Sequence, residues 1–190
     1  MSFFEPPPWR PPEDGGRWPP PWLKPPEAVL PGIVPVELLL ARTDTHAVLA
    51  VDLLAYPTGL DFALATRRHP SQPRERHRRG QLRDHGPFGD RGLRFEIRFA
   101  DGYVVSNHPR HRPRNLEAEA PDQPMLYEGG GGGGEDGWRI QQWLWGLPPP
   151  GPLVFVCEWP ARQIPESRVE IDAALVLEAA SRAVPVWPAD

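Results

Sequence analysis

The cleanest alternation of apolar and polar positions is LRFEIRF, residues 93–99. Leu93, Phe95, Ile97 and Phe99 fall on one side, and Arg94, Glu96 and Arg98 on the other. A period of two predicts a strand with one dry face and one wet face. ADGY follows, and Asp101-Gly102 between two such runs predicts a hairpin with YVVS, 103–106, as the return strand. LDFALATR, 60–67, also alternates, with Leu60, Phe62 and Leu64 opposite Asp61, Ala63 and Ala65. HAVLAVDLLAY, 46–56, is more uniformly apolar, which predicts a strand covered on both faces for part of its length. PTG, 57–59, joins these two into a hairpin, with Gly59 expected to supply a positive φ. IVPVELLLAR, 33–42, is expected to be the first strand.

Two further runs, WRIQQWLWGL (138–147) and LVFVCEW (153–159), flank the stiff step PPPGP. They read as a hairpin with a five-residue loop. Leu153, Phe155, Cys157 and Trp159 share one face of the second run. On the first, Trp143, Trp145 and Leu147 share a face with Arg139 and Gln141, opposite Trp138 and Ile140. Trp138 and Trp159 are therefore expected in the core. Trp143 and Trp145 are expected at the surface, under the N-terminal tail or at a partner. SRVEI, 167–171, predicts a last short strand. AALVLEAASRA after it favours a helix over a strand, with Asp172 as cap, Glu178 and Arg182 as an i,i+4 pair, and Pro185 as the stop.

Seven to eight short strands and one terminal helix suit an immunoglobulin-like antiparallel β-sandwich. A partly open β-barrel is the alternative. The expected organisation is one domain over 32–187, a Pro/Trp-rich tail over 1–31, and a short end over 188–190. Two flexible insertions are expected at 68–92 and 107–137.

Composition changes the picture mainly at the surface. Proline is 28 of 190 residues, about three times its usual share. In the tail, prolines surround Trp9, Trp18 and Trp22 and predict polyproline II, and the tryptophans suggest that the tail lies against the domain. Lys24 is the single lysine, an arginine bias that fits coding DNA rich in G and C. The net charge of −4 excludes a general polycation that would bind nucleic acid or membranes. Cys157 is the one cysteine, so no internal disulfide forms, and its apolar run predicts a buried thiol. The N-terminus shows no cationic start with an apolar run, and no apolar stretch approaches 18 residues. A soluble, cytoplasmic protein is expected.

Candidate chemistry is sparse. The first insertion carries Arg74, Arg76, Arg78, Arg79 and Arg83, and the second Arg110, Arg112 and Arg114. Such clusters can neutralise phosphates of RNA or another polyanion, but only Phe88 interleaves them as a stacking group. The glycine run 129–134 reads as a flexible linker, not a phosphate loop, because Glu135 and Asp136 follow it. His69, His77, His85, His108 and His111 lie in loops without cysteine nearby, a poor setting for a metal. No serine sits in a nucleophile elbow, so no catalytic constellation, metal or cofactor is expected. Glu37 and Asp52 stand in apolar strands; a buried, perturbed acid is one reading, and a mark of a solvent face or strand edge is the favoured one. PPPWRPP and PPPWLKPP have the stiffness of docking ligands.

The stretch LWGLPPPGPLVFVCEWPARQIPESRVEIDAALVLEAA, the glycine run and the AYPTGLDF turn resemble a family of actinobacterial proteins with no assigned activity. The resemblance implies no activity, cofactor or site. The residues point to a non-enzymatic binding module whose contacts are Trp9, Trp18, Trp22, Trp143 and Trp145, with a protein as the expected partner. The alternatives are polyanion binding by the arginine loops, and a small-molecule or carbohydrate binder using exposed tryptophans.

Overall fold

A computed structural model describes residues 20–71, 92–107, 120–134 and 136–187. The chain is mainly β, in antiparallel sheets that remain open and do not close into a barrel. In chain order the strands are β1 (Val29–Leu30), β2 (Gly32–Ile33), β3 (Leu38–Arg42), β4 (His46–Tyr56), β5 (Gly59–Arg68), β6 (Arg94–Arg98), β7 (Val104–Ser106), β8 (Met125–Gly134), β9 (Gly137–Trp145), β10 (Pro152–Trp159), β11 (Ile164–Asp172) and β12 (Val184–Pro185). One helix, α1 (Ala174–Ser181), lies between β11 and β12. The larger sheet runs β2-β4-β5-β9-β8, with β3 also on β4, and the smaller runs β11-β10-β6-β7. A two-stranded ribbon pairs β1 with β12.

The core lies between the two main sheets. Phe62 of β5 meets Phe95 of β6 and Phe155 of β10, with ring centroids 5.8 and 6.0 Å apart. The period-two run 93–99 behaves as its pattern requires: Leu93, Phe95, Ile97 and Phe99 are all buried. Asp101-Gly102 makes the hairpin turn, with Gly102 at φ 86° and its N–H on Phe99 O. β5 is central and buried along most of its length on both faces, because β4 and β9 flank it and side chains cover both sides.

Several expectations are corrected. The run 33–42 is two strands, β2 and β3, separated at 34–37. Pro35 stands in that break, where it needs no ladder donor. Gly59 has no positive φ; it is glycine because a Cβ there would overlap the Leu144 carbonyl on β9. The two tryptophan-rich runs do not form a hairpin. β9 belongs to the larger sheet and β10 to the smaller, so PPPGP carries the chain from one sheet to the other. The glycine run is no linker, because Gly129–Gly134 complete β8 and, past a bulge at Gly129 and Gly130, Gly131–Gly134 pair with β9 at the sheet edge. Residues 125–134 therefore leave the insertion expected over 107–137.

The C-terminal segment is a helix, and Asp172 accepts the Ala174 N–H at 2.9 Å. Arg182 does not pair with Glu178; it donates to the carbonyl of Ile33 at 3.0 Å and ties the helix end to β2. Val176, Ala179 and Ala180 face the core, and Gly32 lets the helix close onto β2 because a Cβ there would overlap the Ala179 carbonyl. Residues 20–30 join the domain instead of extending from it. They form a turn closed by Leu23 N–H on Pro20 O, a second closed by Val29 N–H on Pro26 O, and then β1. Turns replace the expected polyproline II here, since Pro21 favours the second position of a β-turn as readily as an extended helix.

Candidate functional site

The strand registers place named residues in rows on the outer face of the larger sheet, the face turned away from Phe62, Phe95 and Phe155. One row runs Ile33, Leu54, Asp61, Trp143, Tyr127. The next runs Val51, Ala63, Gln141, and the third Leu39, Leu49, Ala65, Arg139, Gly132. The face thus grades from an apolar shelf on β2, β3 and β4, through a polar centre, to aromatic rings on β9 and β8.

The polar centre has two pairs. β4 carries one extra residue between Val51 and Leu54, and Asp52 in this bulge sits at φ 54°. Aspartate tolerates that region better than most residues, and a bulge re-aims its side chain. Asp52 is half-exposed and forms an ion pair with Arg139 of β9. Behind it Asp61 is 9% exposed and accepts a hydrogen bond from Gln141 Nε2 at 2.8 Å. Burial raises the Asp61 carboxyl above the usual aspartate value, against the lowering effect of the Gln141 bond. Burial and the neighbouring Asp61 raise the Tyr56 hydroxyl as well. Asp61 was not marked as a candidate by the pattern, although an aspartate on a strand whose two faces are both apolar was the available signal.

A groove of about 620 Å³ opens beside this centre, with Asp52, Leu54, Arg139 and Gln141 on one side and the 33–37 crossing on the other. Ile33, which lines it, is 69% exposed, and Leu39, in the row of Leu49 and Arg139 on the same face, is 47% exposed. The outer face of the smaller sheet contrasts with it. There Arg94 pairs with Glu158, Arg98 with Glu96, and Arg168 with Glu166.

The aromatic end is covered. Trp143 is only 3% exposed; its Nε1–H donates to the carbonyl of Trp22 at 2.9 Å, and its ring meets Tyr56 edge to face at 5.7 Å. Trp145 is half-buried and donates its indole N–H to Pro121 O at 3.1 Å. Of the two outcomes expected for this pair, Trp143 takes the one under the tail. An exposed Trp143–Trp145 stacking platform is not formed. The core assignments divide: Trp159 is buried, but Trp138 is only half-buried. Cys157 is buried and its thiol is pushed up to about 11.

Trp9, Trp18, Arg74, Arg76, Arg78, Arg79, Arg83, Arg110, Arg112 and Arg114 lie outside the described residues. The described ends of the two arginine-rich segments do come together. Asn107 accepts the Phe95 N–H at 2.9 Å and donates to Leu93 O at 3.1 Å. Among the described residues no group of His, Cys, Asp and Glu could hold a metal ion, and no helix is long and apolar enough to cross a membrane. No family model, curated protein or solved structure matches the chain.

Proposed function

We propose that this protein is a binding module that docks a protein segment along the outer face of its larger sheet. The observation that carries the reading is the exposed shelf of Ile33 and Leu39 beside the Asp52–Arg139 pair on that face. Exposed apolar surface rimmed by charge marks interaction sites in soluble domains. The groove supplies depth for a side chain, and the ion pair supplies orientation. Such a module acts by binding and needs no catalytic group.

Photocrosslinking tests this directly. A photoreactive residue at Ile33 or Leu39 is expected to capture the same discrete partner in cells of the source organism. The same residue at Glu170, on the smaller sheet, is expected to capture none. Equal capture at all three positions, or none at Leu39 and Ile33, overturns the reading.

A second reading, binding of RNA or another polyanion, is supported by the junction of Asn107 with Leu93. It brings one end of each arginine-rich segment to the same place. Steeply salt-dependent RNA binding is expected on this reading. Binding unchanged when Arg76, Arg78 and Arg79 become alanine removes it.

A further inference from the structure

Two stretches of the N-terminal tail repeat one another. Residues 6–13 read PPPWRPPE and residues 19–27 read PPPWLKPPE, so a single insertion, Leu23, separates the two patterns. In the second copy the shared features beyond Pro19 have structural places. Pro21 and Trp22 form the corner of the turn closed by Leu23 N–H on Pro20 O, 3.0 Å. The Trp22 carbonyl leaves that turn and accepts the Trp143 indole N–H. Lys24 pairs with Glu27 at 2.5 Å across Pro25 and Pro26. A second turn then leads into β1.

The first copy holds the same determinants, with the cation one position nearer the tryptophan. Pro7, Pro8 and Trp9 correspond to the turn corner, and Arg10 and Glu13 keep the i,i+3 pair of cation and acid across two prolines. The receiving surface offers such a segment a positioned donor. An indole N–H held by edge-to-face packing on Tyr56 offers one donor to a backbone carbonyl. Proline-rich segments suit it because their prolines donate nothing and lose little entropy on docking.

We propose that the Trp143–Tyr56 surface is a receptor for this motif, and that its second ligand is residues 6–13 of another copy of this chain. Each chain carries two motifs for one such surface, and on this proposal the motif at 6–13 serves a neighbour. The seated copy competes at the millimolar effective concentration of a short tether, which keeps exchange between chains weak until the strap loosens. This proposal uses residues other than the Ile33–Leu39 shelf, so the two can fail separately.

The test uses the full chain and a synthetic peptide of residues 5–14. The Trp143 indole N–H resonance is identified by its loss in Trp143→Phe. Peptide is expected to shift it, and to do so at roughly tenfold lower concentration in a Trp22→Ala chain whose strap is weakened. A peptide carrying Trp9→Ala is expected to leave it in place. In sedimentation equilibrium the wild-type chain is expected to associate with rising concentration, and the Trp9→Ala chain to stay monomeric. An immobile Trp143 resonance at millimolar peptide in both chains overturns the receptor. A peptide-induced shift with a wild-type chain that stays monomeric at the same concentrations overturns the second copy as ligand.

Discussion

The indole N–H of Trp143 donates to the backbone carbonyl of Trp22 across 121 residues of chain. This bond seats the Pro/Trp segment on the sheet and buries the ring that the strand pattern places on an outer face. It also separates the two roles of that face, a covered aromatic end and an open groove.

Trp143→Phe removes the donor and keeps most of the ring. Denaturant unfolding is expected to show a loss of about 1 kcal/mol. Trp143→Ala also removes packing at a buried site, and about 3–5 kcal/mol is expected. Both are expected to speed proteolysis within residues 20–28. A loss under about 1 kcal/mol for the alanine variant contradicts a seated strap.

Two glycines separate close approach from open space. A Cβ at Gly32 overlaps the Ala179 carbonyl, so Gly32→Ala must push α1 off β2, and a loss of about 2 kcal/mol or more is expected. A Cβ at Gly132 meets nothing, so Gly132→Ala is expected to be neutral or to stabilise by up to about 1 kcal/mol. Thermal unfolding of the pair is the measurement. Equal losses at both positions would contradict the arrangement of β8 and α1.

Asp61 makes stability depend on pH with a definite sign. Its carboxyl is raised in the folded state by burial. Between the ordinary aspartate pKa and the raised one, the unfolded chain holds fewer protons than the folded chain. Stability from this group therefore falls as pH rises through that window, and the cost is absent below the ordinary pKa. Asp61→Asn keeps an acceptor for Gln141 and removes the charge. It is expected to be more stable than wild type at pH 7 and no more stable at pH 3. The same gain at both pH values contradicts the assignment.

Gln142 faces the core beside Phe62 on β5, fully buried, and neither amide atom finds a hydrogen-bond partner among the described residues. Leaving such a group unpaired costs about 1–3 kcal/mol. Gln142→Met, close in length and shape, is expected to raise stability by an amount within that range. A destabilised Gln142→Met chain shows that the amide is satisfied in solution.

Much of the fold was legible because it rests on local alternation. Residues 46–56, 60–67, 93–99 and 103–106 were read as strands, and all of these segments carry strand. Period two is a property of the chain itself and survives without knowledge of neighbours. The PPPGP step was misread because loop length alone suggests a hairpin, whereas the choice of sheet depends on partners distant in sequence. The Gly129–Gly134 strand had no side-chain pattern to read, since glycine leaves only backbone. Its strand state comes from the ladder that β9 offers.

The candidate site was half legible. Trp22, Trp143 and Trp145 were marked as contact residues, and the structure joins Trp22 to Trp143. The Asp52–Arg139 and Asp61–Gln141 pairs were not read. Their partners lie 80 or more residues apart, and only the β4-β5-β9 register brings them together.

The sequence by itself determined the β class, the inward faces of the regular strands, the terminal helix, and the turn at Asp101-Gly102. These follow from side-chain period and local backbone preference within a few residues. The tertiary structure alone decided which strands share a sheet, that bare glycines complete an edge, and that Trp143 lies beneath the tail. Each of those depends on hydrogen bonds and buried contacts between residues far apart in the chain, and no local pattern encodes them.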